Sequence, residues 1–364
     1  MSREIVNLLT KLPVPDLVPS QLAEFNPQTL RARHTERFFV NHALECLRDA
    51  NGRTGWALDI GGTALKAQRF TIQNGVVVFS PDDKVIMQVE GENEKKGKNY
   101  LAALMQLSET IEADDLIGVS VAGLVENGKL KDSPNLPSFI HDLESVGGLD
   151  AIFRRKISVA NDAVAGLKAS IVGASQHGLA HKNVLYLIHG GGIGGAAKDG
   201  EDMMISLEPG HIRASRELNP REITTPCGME EQTFTCLERI GSMGAIEAIW
   251  KNVITAWQEL NGRQIAELMY SGDKKALDLF NNSANILAHT IEGICMSLGF
   301  SPNETLVVMH GGGTKVEGMM QRISSILAKH HTERGQQYKL VPTSDFGIDN
   351  ACLMGAAISA VIGS

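Results

Sequence analysis

The sequence predicts a mixed α/β protein of two domains with a cleft between them, and three observations carry that expectation. The chain has 364 residues, more than a single hydrophobic core usually serves. Apolar runs with the period of strands alternate with runs at helical spacing along most of its length. An opening of strand, glycine turn and strand occurs twice, in TGWALDIGGTALKAQRFTIQNGVVVFS and in NVLYLIHGGGIGGAAKDGEDMM, as an internal duplication would leave it.

Taken in order, residues 1–53 carry seven Lys/Arg against six Asp/Glu, with Leu8, Leu9, Phe38, Phe39, Leu44 and Leu47 spaced as on amphipathic helices. They are read as a helical N-terminal extension. Residues 54–181, joined by the small-residue helix at 350–364, form a smaller domain. Its elements are the first hairpin, a helix through Leu101, Leu104, Leu107 and Ile111, the strand LIGVSVAG, the loop NLPS, the strand ISVANDA and a helix from Ala163 towards Ser175. Residues 182–349 form a larger domain: the second hairpin, a long helix around Leu279 to Leu298, the strand TLVVMHGGG, a helix from Val316 to His331 and the strand YKLVP.

Composition narrows the function classes. With 43% hydrophobic and 21% charged residues the chain is of ordinary globular type, which sets aside disordered and collagen-like classes. Its net charge of −8 argues against a surface that neutralises nucleic-acid phosphates. A small anion is still a suitable ligand, because backbone N–H groups hold phosphate without net positive charge. No run approaches the roughly 20 apolar residues of a membrane span, and the start, MSREIVNLLTKLPVPD, has too short an apolar run for a signal peptide. Cys46, Cys227, Cys236, Cys295 and Cys352 are odd in number and scattered, so reduced thiols and a cytoplasmic location are expected.

The chemistry-bearing residues cluster at the glycine turns and strand ends. In Leu58-Asp59-Ile60-Gly61-Gly62-Thr63 a carboxylate follows an apolar strand, and two glycines allow a ligand close to the backbone. A phosphate there would meet N–H groups, the Thr63 hydroxyl and Lys66, with Asp59 reaching a metal-bound water. A plain Gly-Gly hairpin turn accounts for the same residues. The second turn, His189-Gly190-Gly191-Gly192-Ile193-Gly194-Gly195, spends five glycines at an entropic cost on the order of 1 kcal/mol each, which suggests a ligand at the backbone. A third cluster, His310-Gly311-Gly312-Gly313-Thr314, follows a strand and precedes a helix, where a nucleotide could lie. Asp162, in Asn161-Asp162-Ala163, stands at a strand end where a helix starts; it suits either an N-cap or a catalytic base. Glu208-Pro209-Gly210-His211 pairs a carboxylate with an imidazole, suited to vicinal hydroxyls. His211, Cys227 and Cys236 offer three soft zinc ligands where a structural site wants four.

In this order the motifs resemble the ROK family (repressors, open reading frames and kinases) of the hexokinase and actin superfamily, over about residues 54 to 364. LDIGGTALK resembles the family's first phosphate motif, NLPS its sugar loop, ANDA its catalytic segment, HGGGIGG its second phosphate motif, EPGH its Glu-x-Gly-His signature and MHGGGT its adenosine motif. The resemblance implies two RNase H-like domains of the actin and hexokinase type. It also implies an ATP-dependent sugar kinase of glucokinase type, with ATP and Mg²⁺ as cofactors and a homodimer as the assembly. Carried over by position, it implies that Asn135, Asn161, Asp162, Glu208, His211 and Glu238 bind the sugar and that Asp162 is the base. Asp59, Gly61, Gly62, Thr63, Lys66, Gly190, Gly191, Gly192, Gly311, Gly312 and Gly313 are implied for ATP.

Three departures bear on these implications. TPCGMEEQTFTCLE stands where the family has Cys-x-Cys-Gly-x-x-Gly-Cys-x-Glu; Thr225 replaces the first cysteine and the gap from Cys227 to Cys236 is longer, which leaves the structural zinc in doubt. Gly191 replaces a usual Thr and so removes a hydroxyl donor to phosphate. The extension is shorter and less basic than the DNA-binding domain of family repressors, although a sugar-sensing regulator without transfer activity is the alternative the family offers.

Overall fold

The computed structural model describes residues 32–62, 64–89, 93–133, 136–215, 234–255, 258–331 and 337–363. Two compact units emerge. One comprises Thr35–Ala180, Asp202–Met204 and Phe346–Ser364; the other includes His181–Glu201 and Ile205–Asp345.

The chain enters through strand β1 (Ala32–Arg37) and helix α1 (Val40–Asp49). The first unit continues with β2 (Thr54–Ile60), β3 (Ala64–Gln73), β4 (Val76–Gln88), α2 (Asn93–Ser108), β5 (Leu116–Val121), β6 (Leu124–Glu126), β7 (Lys129–Asp132), α3 (Pro137–Ser145), α4 (Leu149–Phe153), β8 (Ser158–Asn161) and α5 (Asp162–Gln176). Its sheet has the order β4-β3-β2-β5-β8. β2 runs antiparallel to β3 and parallel to β5, and β5 parallel to β8. As a central strand β2 is buried on both faces from Gly55 to Ile60, which explains its continuous apolar run. Leu58, Ile60, Leu65, Val119 and Val121 of the sheet pack with Tyr100, Leu104 and Phe139 of the helices in one core.

The second unit contains β9 (Asn183–His189), β10 (Ile193–Lys198), β11 (Met203–Leu207), β12 (Arg213–Ser215), β13 (Phe234–Cys236), α6 (Glu238–Gly241), α7 (Met243–Ile249), a π-helical turn at Trp250–Ile254, α8 (Gly262–Tyr270), α9 (Lys274–Ser297), β14 (Thr305–His310), a 3₁₀ turn at Gly312–Lys315, α10 (Met319–His331) and β15 (Lys339–Pro342). The sheet order is β1-β11-β10-β9-β14-β15. β9 pairs antiparallel with β10 and parallel with β14, and β14 parallel with β15. From β9 onwards this repeats the first unit's order, so the repeated opening in the sequence is a repeated topology.

The last helix, α11 (Ala351–Ile362), returns to the first unit. Its small residues allow unusually close approach: a Cβ on Gly355 would lie 1.8 Å from the Ala165 carbonyl oxygen on α5, and one on Gly118 of β5 1.9 Å from the Ala356 carbonyl oxygen.

Among the described residues of 1–53, the helical reading meets a helix at α1, whereas residues 32–37 form a strand; residues 1–31, with Leu8 and Leu9, lie outside the described residues. Ala32–Arg37 reads ARHTER, with one apolar residue, and so carries neither the strand nor the helix period. This segment is tied to α5: Glu36 forms a 2.6 Å ion pair with Lys168, whose ammonium lies 5.8 Å from the centre of the Phe38 ring. Among the described residues no helix is long and apolar enough to cross a membrane.

Candidate functional site

The first hairpin places Asp59 at the end of β2, directly opposite Lys66 on β3. Their side chains meet at 3.2 Å, and Asp59 is buried. Burial raises its carboxyl pKa above the usual range, while the Lys66 charge and hydrogen bonds from Lys66 and Ser120 pull in the opposite direction. Gly61 N–H closes the turn on Ala64 C=O at 3.1 Å. Its carbonyl accepts a 2.6 Å hydrogen bond from the hydroxyl of Tyr100 on α2. Gly62 follows in the turn; Thr63 and Asn135 lie outside the described residues.

At the start of α5 two neighbouring residues divide the work. Asn161 is the N-cap: its Oδ1 accepts from Ala163 N–H at 3.0 Å and Val164 N–H at 3.2 Å, and its Nδ2 donates to Gly123 C=O at 2.8 Å. Asp162 is the first helical residue, one position beyond the end of β8, and its Oδ1 accepts from Ala163 N–H at 2.8 Å. The cap is thus supplied without Asp162. Cys352, in the first turn of α11, directs its thiol to the Asp162 carbonyl at 3.7 Å. Burial pushes that thiol's pKa well up, and the charges of Asp59 and Asp162 push it further, so Cys352 remains protonated.

In the second unit, three motifs distant in sequence converge on Glu238. A Cβ on Gly192 of the second hairpin would lie 2.7 Å from Glu238 Oε2, and one on Gly210 of the EPGH turn 2.9 Å from the same atom. Antiparallel pairing of β12 with β13 sets Arg213 opposite Cys236, which fixes where α6 and Glu238 begin. His211 Nδ1 lies 3.7 Å from Cys236 Sγ. Glu208 is exposed and His211 half-buried. Cys227 lies outside the described residues, among which no cluster of three or more His, Cys, Asp or Glu could hold a metal. His211 and Cys236 alone fall short of the four ligands of a structural zinc, so no role is derived through that metal.

Gly190 and Gly191 differ from Gly192. A Cβ at either would meet nothing within 4 Å, and neither has a left-handed backbone. Among the described residues, no steric contact accounts for glycine at these two positions. The loop itself is held from behind: Met243 N–H donates to Gly190 C=O at 2.9 Å, and a Cβ on Gly244 would lie 2.5 Å from the Gly191 carbonyl oxygen.

The third cluster packs on His189. A Cβ on Gly311 would lie 2.4 Å from the His189 carbonyl oxygen, and one on Gly313 1.9 Å from His189 Nδ1. Gly312, by contrast, has open space. The fully buried imidazole meets Gly241 C=O at 3.1 Å and Ser283 Oγ at 3.2 Å through Nε2. Burial lowers its pKa to about 4, so it is neutral near pH 7.

Each unit thus gathers glycine-turn amides with carboxylates: Asp59 and Asp162 in one, Glu238 in the other. Tyr100 and Ser120 were not singled out in the sequence, and Cys352 entered there only as a reduced thiol. Only Tyr100 left a signal: the buried stripe of α2 is Tyr100, Leu104, Leu107 with Ile111 beyond, whereas Leu101 is half-buried.

The model of the ROK family matches residues 57–361. The fold is similar to a ROK family glucokinase from Streptomyces griseus in complex with glucose and AMPPNP (TM-score 0.60, 21% identity, 84% of this chain and 98% of that one). It is also similar to a ROK hexokinase from Thermus thermophilus (TM-score 0.57, 20% identity, 83% and 97%). A ROK family transcriptional regulator, a homolog of the E. coli MLC protein, is similar as well (TM-score 0.57, 18% identity, 95% and 87%). No curated protein matches the chain. A family match over this span and two units of repeated α/β topology lead to one statement: the chain belongs to the ROK family, with the two-domain fold of the actin and hexokinase type.

Proposed function

We propose that this protein is an ATP-dependent sugar kinase that transfers the γ-phosphate of ATP to a hexose hydroxyl, the 6-OH of glucose or of an N-acetylhexosamine. The observation that supports the reading is the arrangement at α5: Asn161 caps the helix through Ala163 N–H and Val164 N–H, and the Asp162 carboxylate, which shares the Ala163 N–H through Oδ1, stands just beyond the end of a strand.

In the proposed mechanism Asp162 accepts the proton of the attacking hydroxyl. That proton leaves late in phosphoryl transfer, so a carboxylate of ordinary basicity suffices once it lies near 3 Å from the oxygen. The sugar oxygen bonds to the γ-phosphorus, the bond to the bridging oxygen breaks, and ADP departs. Asn135, Asn161, Glu208, His211 and Glu238 are assigned to the sugar hydroxyls. The turns at Gly61, Gly62 and Thr63 and at Gly190, Gly191 and Gly192, with Lys66, are assigned to the phosphates, the N–H groups of Gly61 and Gly190 being bonded within their own turns to Ala64 C=O and Gly192 C=O; Gly311, Gly312 and Gly313 are assigned to the adenosine. The oxygen donor and charge of Asp59 fit Mg²⁺, which prefers carboxylate and water ligands. Asp59 would hold a water of the ATP-bound ion, which neutralises charge on the β- and γ-phosphates when present.

A sugar-sensing regulator without transfer is the second reading. It is favoured by one observation: the similarity to the regulator extends over 95% of this chain, against 84% for the glucokinase. A coupled ADP-release assay against a panel of hexoses and N-acetylhexosamines separates them. Sugar-dependent ADP release supports the kinase; binding of sugar and ATP without release supports the regulator.

A further inference from the structure

His189 is the last residue of β9 and pairs with Ile193 of β10, so its backbone closes the stem of the second glycine turn. Its imidazole is fully buried, and its neighbours decide where the ring proton sits. Nε2 lies 3.1 Å from Gly241 C=O; a carbonyl only accepts, so Nε2 carries the hydrogen. The Ser283 hydroxyl donates to the same carbonyl at 2.6 Å and stands 3.2 Å from Nε2. Nδ1 of the neutral ring is therefore a bare lone pair, with no hydrogen-bond partner among the described residues. An apolar side chain there would leave no acceptor unpaired, so stability alone does not account for the histidine.

The bare edge of the ring meets the third glycine turn. A Cβ on Gly313 would lie 1.9 Å from Nδ1 and 2.4 Å from Cε1, and one on Gly311 2.4 Å from the His189 carbonyl oxygen. Gly311 also has a left-handed backbone, with φ +108°, whereas Gly313 does not. At Gly313 it is the imidazole edge that excludes a side chain. The far end of this turn is held separately, by Glu317 N–H donating to the hydroxyl of Tyr270, the last residue of α8, at 2.6 Å. His189 thus belongs to the stem of one glycine turn and forms the floor of the other.

We propose that His189 is a positioning residue for the nucleotide: its imidazole edge seats the third glycine turn against the stem of the second, and Gly313 is glycine to admit that edge. The proposal rests on the kinase reading for the assignment of both turns to ATP, and on the contacts of the ring for the role of the histidine. Two features separate this role from support of the fold. Gly241 C=O keeps the Ser283 hydroxyl when the imidazole is removed, so the end of α6 stays tied to α9. The contact with Gly313 is steric, so a change on one side of it can be undone by a change on the other.

Gly313→Ala drives a Cβ into the ring. Affinity for ATP with Mg²⁺, read by titration calorimetry, is expected to fall about tenfold, within the range of coupling between residues in contact. His189→Ala vacates the space, and in that background the same Gly313→Ala is expected to change ATP affinity by less than about threefold. KM for ATP should follow the affinities while KM for the sugar stays within about twofold, a split that a loss of stability would not produce. Circular dichroism and melting temperatures check that each variant is folded. His189→Gln, whose amide can still donate to Gly241 C=O, takes the place of His189→Ala if that variant does not fold. Equal loss from Gly313→Ala in both backgrounds, or wild-type ATP affinity in a folded Gly313→Ala, overturns the inference and leaves the kinase reading standing. A wild-type protein that binds ATP but phosphorylates no sugar counts against the kinase reading alone, with His189 still judged by ATP affinity. A wild-type protein that does not bind ATP overturns both.

Discussion

The Asn161 amide oxygen accepts two helix N–H groups at the start of α5, and its amide nitrogen donates to Gly123 C=O. Replacing such a cap by Ala typically costs about 1 kcal/mol, and the Gly123 carbonyl would lose its partner as well. Asn161→Ala is therefore expected to lower unfolding stability by about 1–2 kcal/mol in urea titrations. Asp162→Ala removes a first-turn charge, worth roughly 0.3–1 kcal/mol, and an acceptor for Ala163 N–H that Asn161 also serves, and should fold nearly as well as wild type. The segment Asn161-Asp162-Ala163 could be read from sequence as a strand end meeting a helix. Which residue caps could not, because Asn and Asp cap equally well; the choice was fixed by where β8 leaves the sheet, with Asn161 still paired to Val121. The partners of Tyr100 and Cys352 were illegible for a different reason. Their polar contacts reach Gly61 and Asp162 across 39 and 190 residues of sequence, and no local pattern encodes a partner that distant.

At the scale of elements, α11 decides how α5 is seated. Its sequence of small residues reads as an ordinary apolar helix, and by propensity alone Gly355→Ala would stabilise it by about 1 kcal/mol. Packing sets the opposite sign. The new Cβ would lie 1.8 Å from the Ala165 carbonyl oxygen, and backbone cannot yield as a flexible side chain can. Overpacking of this kind costs about 1–3 kcal/mol and occasionally more, so Gly355→Ala is expected to lower the melting temperature. Because Cys352 and the Asp162 carbonyl meet at the same helix pair, turnover should fall beyond what the lost stability explains. Helical periods at α2, α5, α9 and α10 were legible because each runs for three turns or more. β1 was not, since six residues that join a sheet through another segment carry little pattern of their own.

At the largest scale, the five strands from β2 in one sheet and the five from β9 in the other share one order, and the glycine turns at their first hairpins are where the proposed chemistry lies. That much was legible in the sequence, because a hairpin is a local event whose turn residues sit beside its strands. The stability of the second unit also responds to pH through His189. Its folded pKa, about 4, lies below the ordinary value of 6.5, so the unfolded chain binds the proton more readily. Its contribution is complete above pH 6.5, declines as pH falls, and is lost by about pH 4, on the order of 3 kcal/mol in all. Unfolding free energy measured across that window should fall with acid, and His189→Gln should flatten that part of the curve. The central claim is that Asp162 is the base of a sugar kinase, and the most direct test compares sugar-dependent ADP release by wild type and by Asp162→Ala, with folding checked by circular dichroism. The account predicts turnover by wild type and near-complete loss in a folded Asp162→Ala; wild-type turnover in that variant would contradict it.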